Sequence, residues 1–233
     1  MNAGVTRTAL VTGGSRGIGL TSCRQLARAG LRVVLTARDP RDGERAAREL
    51  QGEGHDVRFE QLDVADPDSV AMCSERLAHD GVAVDVLVNN AATSIIAPVL
   101  LAEESELATS LTVNLFGAWR TCRAFVPGMR DREYGRVVNV STGYAQMASR
   151  APRGGVYGLS KAALNALTRQ VAAEAGPWVK VNAMSPGWVS TRVREPGGRV
   201  TRTEATDTLV WLATLPDDGP TDGFFYQRRP VAW

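Results

Sequence analysis

Tyr157 and Lys161 are a phenol and an amine four residues apart, a spacing that places both side chains on one face of a helix. A lysine cation beside a phenol favours the phenolate and lowers the tyrosine pKa, which makes a poor acid-base group usable near neutral pH. The stretch that follows, residues 162–175, is rich in Ala, Leu, Gln, Arg and Glu and stops at Gly176-Pro177, as a helix would. Tyr and Lys at this spacing also occur on many solvated helices, so the pair takes its meaning from the rest of the chain. Other reactive groups add little. His55 and His79 fall at surface-like helix ends, and Cys23, Cys73 and Cys122 lie far apart without metal-ligand spacing. No metal site is expected, and the cysteines read as small buried hydrophobes of a protein kept reduced.

The elements that must position the pair belong to a chain of 233 residues, enough for one large α/β domain with a substantial core. A formal net charge of +2 with dispersed arginines gives no footprint for nucleic acid or for an anionic membrane. No signal pattern opens the chain and no apolar run approaches membrane-spanning length, so a cytoplasmic protein is the expectation. Apolar strand-like runs at 8–11, 32–36, 57–62, 84–89, 136–141, 179–184 and 223–226 alternate with helical stretches at 20–29, 41–51, 67–79, 103–130, the Tyr157 helix and 203–215. This alternation predicts a single domain over residues 1–233: an α/β, Rossmann-like, doubly wound, mostly seven-stranded parallel sheet with helices on both faces. Two irregular stretches, near 142–155 and 187–202, follow strand ends on the edge where such sheets bind ligands, and are expected to wall a substrate pocket.

Between the first strand and the first helix lies Thr12-Gly13-Gly14-Ser15-Arg16-Gly17-Ile18-Gly19. Gly13 permits a sharp turn, Gly17 lets the backbone approach a pyrophosphate, and Gly19 allows close packing of the helix, whose N-terminus offers N–H groups to phosphate. The spacing is looser than the common dinucleotide fingerprint. It is similar to the form found in short-chain dehydrogenases/reductases, and the chain resembles a single-domain, carbonyl-reductase-like member of that family over nearly its full length. The landmarks fall in family order: Thr12 to Gly19, Asp63-Val64, Asn89-Asn90-Ala91, Asn114, Ser141-Thr142, Tyr157 to Lys161, and Pro186-Gly187 with Thr191. Ala92 departs from the pattern, which usually has glycine there, and is expected to be tolerated.

The resemblance implies an oxidoreductase that moves hydride between a nicotinamide cofactor and a small carbonyl or alcohol. Cofactor contacts are implied at Gly13, Ser15, Arg16, Gly17, Ile18, Gly19, Arg38, Asp63, Val64, Asn90, Ala91, Tyr157 and Lys161, and, around the nicotinamide, at Pro186, Gly187, Val189 and Thr191. Arg16 and Arg38 flank the place of the adenosine 2′-phosphate, while Ala37 stands where NAD-preferring relatives usually carry aspartate. NADP(H) is therefore expected, with Asp39 as the neighbour that could neutralise Arg38. In catalysis the resemblance assigns Tyr157 as general acid/base and Lys161 as the group that lowers its pKa and bonds the ribose. It gives Asn114 as holder of a relay water. The hydroxyl that steadies the substrate falls by register on Thr142, with Ser141 one residue earlier, and only one of two neighbours leaving a strand can enter the site. Thr142 is favoured.

Trp188, Tyr144, Gln146 and Met147 are candidate pocket walls, and Trp211 reads as core. Arg150, Arg153, Arg192, Arg194, Arg199 and Arg202 sit in or beside the pocket loops, either as steering for an anionic substrate or as solvated loop charge. Only fourteen residues separate Thr142 from Tyr157, where relatives can carry an insertion that favours monomers, so a homodimer or homotetramer is expected. Two rival readings remain at this point: a nucleotide-binding regulatory protein on the same fold without turnover, and an extended-branch epimerase or dehydratase. The latter needs a larger C-terminal domain than this chain can hold.

Overall fold

Strands β1 (Thr8–Val11), β4 (Val86–Asn89) and β5 (Gly135–Val140) are buried along their whole length, as near-continuous apolar strands must be when helices cover both faces of a parallel sheet. They form the centre of an eight-stranded sheet in the order β3-β2-β1-β4-β5-β6-β7-β8. The computed structural model describes residues 6–148, 154–189 and 200–233. The remaining strands are β2 (Arg32–Ala37), β3 (Val57–Gln61), β6 (Val179–Met184), β7 (Gly223–Tyr226) and β8 (Arg229–Val231). All pairings are parallel except that of β8, which runs antiparallel to β7.

The eighth strand corrects the expected seven. It is three residues long, contains Pro230 and has no alternating pattern, so it carried no strand signal. A two-residue turn makes it, with Gln227 and Arg228 both in the left-handed region, the backbone a tight hairpin demands. Neither residue is a glycine. The conformation is held instead by Arg228, whose guanidinium pairs with Asp207 at 2.7 Å and whose N–H donates to Thr208 Oγ1 at 3.0 Å.

Successive strand residues point to opposite faces, and the two faces build two cores. Ala9, Val11, Val33, Leu35, Val86 and Val88 meet α1 (Gly17–Arg28), α2 (Pro40–Gly52) and α7 (Arg202–Ala213). Leu10, Val34, Leu87, Val137 and Val181 meet α3 (Pro67–His79), α5 (Gly117–Asp131) and α6 (Gly155–Glu174). The single long helix expected over 103–130 is broken: α4 (Glu104–Leu111) passes through a π-helical turn at Thr112–Phe116 into α5. Helical periodicity does not distinguish such a turn, which inserts one residue into the ladder and is common at functional sites.

At the edge where β5 begins, Arg136 is fully buried. Its guanidinium donates to Leu215 O, Gly135 O and Trp178 O and pairs with Asp217 at 2.8 Å, with the Tyr134 ring 4.3 Å away. It ties the start of β5 to the segments entering β6 and leaving α7.

Candidate active site

Helix α6 turns a stripe of Tyr157, Ser160, Lys161, Leu164, Asn165 and Thr168 toward the sheet, all buried except the half-buried Tyr157. That is the 3.6-residue face of a core helix, yet five of its six members are polar. Four of these five side chains find a partner on another element. Ser160 Oγ accepts from Asn114 Nδ2 at 2.9 Å, Lys161 Nζ donates to Val140 O at 2.8 Å, and Asn165 Oδ1 accepts from Ser141 at 2.7 Å. Thr168 Oγ1 accepts from Asn139, which in turn accepts from Asn89 on the neighbouring strand. Satisfied networks of this kind fix one register of helix against sheet, and here they fix where Tyr157 and Lys161 stand relative to the ends of β4 and β5.

Asn114 sits in the π-helical turn and is buried. Its Oδ1 accepts from Thr93 N at 2.8 Å, and its amide hydrogens go to Thr93 O and Ser160 Oγ. The side chain therefore braces the loop after β4 against α6, and a relay water could use only its remaining acceptor capacity or the backbone. Ser141 and Thr142 part as neighbours leaving a strand should. Ser141 is buried with its hydroxyl hydrogen engaged by Asn165, whereas half-buried Thr142 accepts from Tyr144 N at 3.3 Å. An accepting hydroxyl keeps its hydrogen to donate elsewhere.

Burial dominates the two ionisable groups. It pushes the Tyr157 phenol up, with Tyr144 adding to the rise, and pushes the Lys161 ammonium down to about 7. The expected lowering of the phenol by Lys161 is thus not the direction found in this structure: loss of water outweighs the charge, and the amine bonds the Val140 carbonyl.

The glycine-rich turn has the geometry its sequence suggested. Gly13 and Gly17 have φ of 64° and 58°, and a Cβ on Gly17 would meet nothing within 4 Å, so the backbone is open to a ligand there. Gly19 serves a closer contact than helix against sheet, since its Cβ would lie 2.1 Å from the Gly13 carbonyl. Helix α1 has no side-chain cap, which leaves its N–H groups for an anion. Ser15 and Ile18 border this turn, half-exposed, and Arg16 and Arg38 are exposed without an ion pair among the described residues. Asp39 does not neutralise Arg38 by contact, because its carboxylate caps α2 through Arg41 N and Asp42 N.

The other expected contacts lie along the same sheet edge. Asn90 donates to the carbonyls of Thr12 and Gly13, Ala91 packs on Gly13, and Thr12 Oγ1 accepts from the N–H of both. Asp63 Oδ1 accepts from Ala65 N, while Val64 is buried and its carbonyl receives Arg120. Ala92 has no left-handed φ, so nothing in the backbone demands glycine there. Pro186 and Gly187 follow β6, with Gly187 at φ 75° against the Tyr226 ring, and Val189 bridges to Val200. Thr191, Arg150, Arg153, Arg192, Arg194 and Arg199 lie outside the described residues. Trp188 and Met147 are exposed, and half-buried Trp211 packs against the core, edge-on to Phe225. Sequence reasoning missed Asn165 and Thr93, and it gave no separate role to Thr12 or Ser160, although both stood inside its motifs. For Asn165 a signal existed, because 157, 161 and 165 repeat at helical spacing.

A family model for short chain dehydrogenase matches residues 7–199. The chain belongs to the short-chain dehydrogenase family. Among relatives of this oxidoreductase family, the (+)-neomenthol dehydrogenase of Arabidopsis thaliana is 31% identical, covering 97% of each chain. The pig (Sus scrofa) protein named carbonyl reductase [NADPH] 1 is 32% identical over 98% of this chain and 94% of its own. The alignment with the plant dehydrogenase runs to 289 positions against 233 residues here, so that relative carries segments absent from this chain. Among solved structures, the alcohol dehydrogenase of the archaeon Thermococcus sibiricus, complexed with 5-hydroxy-NADP, superposes with a TM-score of 0.85 at 29% identity, covering 98% of this short-chain dehydrogenase and 100% of that chain. No helix among the described residues is long and apolar enough to cross a membrane, and they hold no group of three or more His, Cys, Asp or Glu that could bind a metal.

Proposed function

We propose that the chain is an NADPH-dependent reductase of ketones or aldehydes, reversible toward the alcohol. The observation that supports the reading is the stripe on α6: a phenol and a buried amine on one helical face, with the amine bonded to the Val140 carbonyl at the end of β5, two residues before Thr142. The open backbone at Gly17, the uncapped start of α1 and the guanidiniums of Arg16 and Arg38, which have no ion pair among the described residues, suit a dinucleotide bearing a 2′-phosphate. NADPH, when bound, supplies the hydride. The chain does the rest. Thr142 donates a hydrogen bond to the substrate oxygen, and Tyr157 gives that oxygen its proton as the alkoxide forms. A raised phenol pKa keeps Tyr157 in its acid form at neutral pH, and the adjacent Lys161 amine, close to half-protonated near pH 7, steadies the phenolate left behind. Asn114 holds Thr93 and Ser160 so that the phenol keeps its place.

A panel of ketones and aldehydes with NADPH consumption followed by absorbance tests this. Turnover abolished by Tyr157→Phe supports it, and no consumption across the panel favours the regulatory reading. Arg38→Asp should move kcat/KM toward NADH, and a wild type that prefers NADH would refute the cofactor assignment. A dimer forms part of the proposal. Phe116 and Trp119 are exposed beside the groove between α5 and α6, whereas β8, short and bearing Pro230, closes the free edge of β7 against a second sheet. Sedimentation showing only monomer removes it.

A further inference from the structure

The limb that leaves β5 after Thr142 is held at its far side by two contacts from the segment that follows β8. Gln146 Nε2 donates to Ala232 O at 3.1 Å, and Ala148 N donates to Trp233 O at 3.0 Å. That segment is itself anchored. The Trp233 indole stacks on Phe224 with centroids 5.7 Å apart and planes at 16°, and the Arg169 guanidinium of α6 lies 5.8 Å from its ring. Phe224 is buried in β7, so the stack fastens the segment to the sheet rather than to another loop. At the near side of the same limb, Tyr144 packs over Gly154, where a Cβ would come within 2.9 Å of its ring, three residues before Tyr157. The order along the chain is thus hydroxyl (Thr142), aromatic wall (Tyr144), then the tethered residues Gln146 and Ala148.

We propose that Trp233 is a positioning residue for the carbonyl substrate: by holding the carbonyls of residues 232–233 against Gln146 and Ala148, it fixes the limb that keeps Tyr144 beside Tyr157. The proposal rests on the reductase reading and adds to it the part of the chain that shapes the substrate side of the pocket. The glycine-rich turn and the arginines around it lie across the sheet, so the tether acts on the carbonyl substrate and leaves the phosphate end of NADPH, which carries most of its hold, alone. Loops that carry binding residues gain precision from such fastening to rigid elements.

The test uses two variants acting from opposite sides of the contact and one that restores it. Trp233→Ala removes the stack, Gln146→Glu replaces the donated hydrogen bond by a carboxylate facing a carbonyl, and Trp233→Phe keeps an aromatic ring on Phe224. With a carbonyl compound that the wild type reduces, the first two should raise its KM on the order of fivefold, the equivalent of one net hydrogen bond, with the KM for NADPH unchanged. Trp233→Phe should recover most of the loss. Amide hydrogen exchange at Ala148 should quicken in Trp233→Ala. Unchanged carbonyl KM in both variants, or a parallel rise in the KM for NADPH, overturns the substrate role, and unchanged exchange at Ala148 overturns the tether. If the wild type reduces nothing in the panel, the reductase reading and the substrate role fall together, and the exchange measurement alone decides whether the tether exists.

Discussion

Among the described residues two cations are buried, at opposite edges of one sheet, and they are treated differently. Arg136, where β5 begins, has three backbone carbonyls, a carboxylate and an aromatic ring around its guanidinium. Lys161, where β5 ends, has a single carbonyl bond and an ammonium that burial holds down to about 7. A buried charge with most of its donors engaged is part of the architecture. One left short of partners is held in readiness for something that arrives later, and perturbed groups in such settings cluster at functional sites. The contrast sets a structural cation and a cation of the candidate site at the two ends of one strand.

The comparison can be broken from either end. Lys161→Met should cut turnover by roughly a hundredfold to ten-thousandfold, the span of a lost acid-base group, while raising the thermal midpoint. The sign follows from linkage. The folded chain favours the neutral amine, so between about 7 and the ordinary lysine value of 10.5 the unfolded chain binds more protons, and stability from this group rises with pH across that window. The stabilisation by Lys161→Met should therefore be full below pH 7 and shrink toward pH 10, which thermal melts of both proteins over that range would read. Arg136→Met should do the reverse, costing about 3 kcal/mol, on the order of 10 °C in Tm, because it strands several buried carbonyls. Its kcat at a temperature where it remains folded should match the wild type.

Asn165 lies between these extremes. Asn165→Ala frees Ser141 and weakens the hold on Ala145, to which Asn165 Nδ2 also reaches at 3.5 Å. It should lower kcat about tenfold through misplacement of Thr142, with only about 1 kcal/mol lost in denaturant titration. The smallest expected effect concerns Ser110 on α4, whose buried hydroxyl has no hydrogen-bond partner among the described residues. Ser110→Ala should stabilise by about 1 kcal/mol, or ~2–4 °C in a melt, and a loss of stability would mean that the hydroxyl is satisfied by a water.

The seven parallel strands and their covering helices were legible because long alternating segments carry their own periodicity, and the glycine-rich turn because its spacing follows a strand. Other features left no local mark. Arg136 in an apolar strand reads as an outward residue, and only the loops that fold over it reveal the burial. The π-helical turn at Thr112–Phe116 has helical composition throughout. β8 owes its existence to the contacts of Arg228 with α7 rather than to its own three residues. That Tyr157 and Lys161 share one face of a helix could be anticipated from their spacing, but the direction of the phenol's shift could not, since desolvation is a property of the packed state. Register alone favours Thr142 over Ser141; what the structure adds is the bond that occupies the Ser141 hydroxyl, to Asn165 more than twenty residues away in sequence.

All three cysteines are buried, and burial raises every one of their thiol pKa values, Cys73 to about 11 and Cys122 to about 12. Thiols so held are poor nucleophiles toward alkylating agents and oxidants alike. They are also divided between the cores, Cys23 on the side of α1 and Cys73 and Cys122 on the side of α3 and α5. The rate at which each is alkylated therefore reports how often its own side of the sheet opens, giving the molecule two internal clocks, one for the layer of the glycine-rich turn and one for the layer of the α6 stripe.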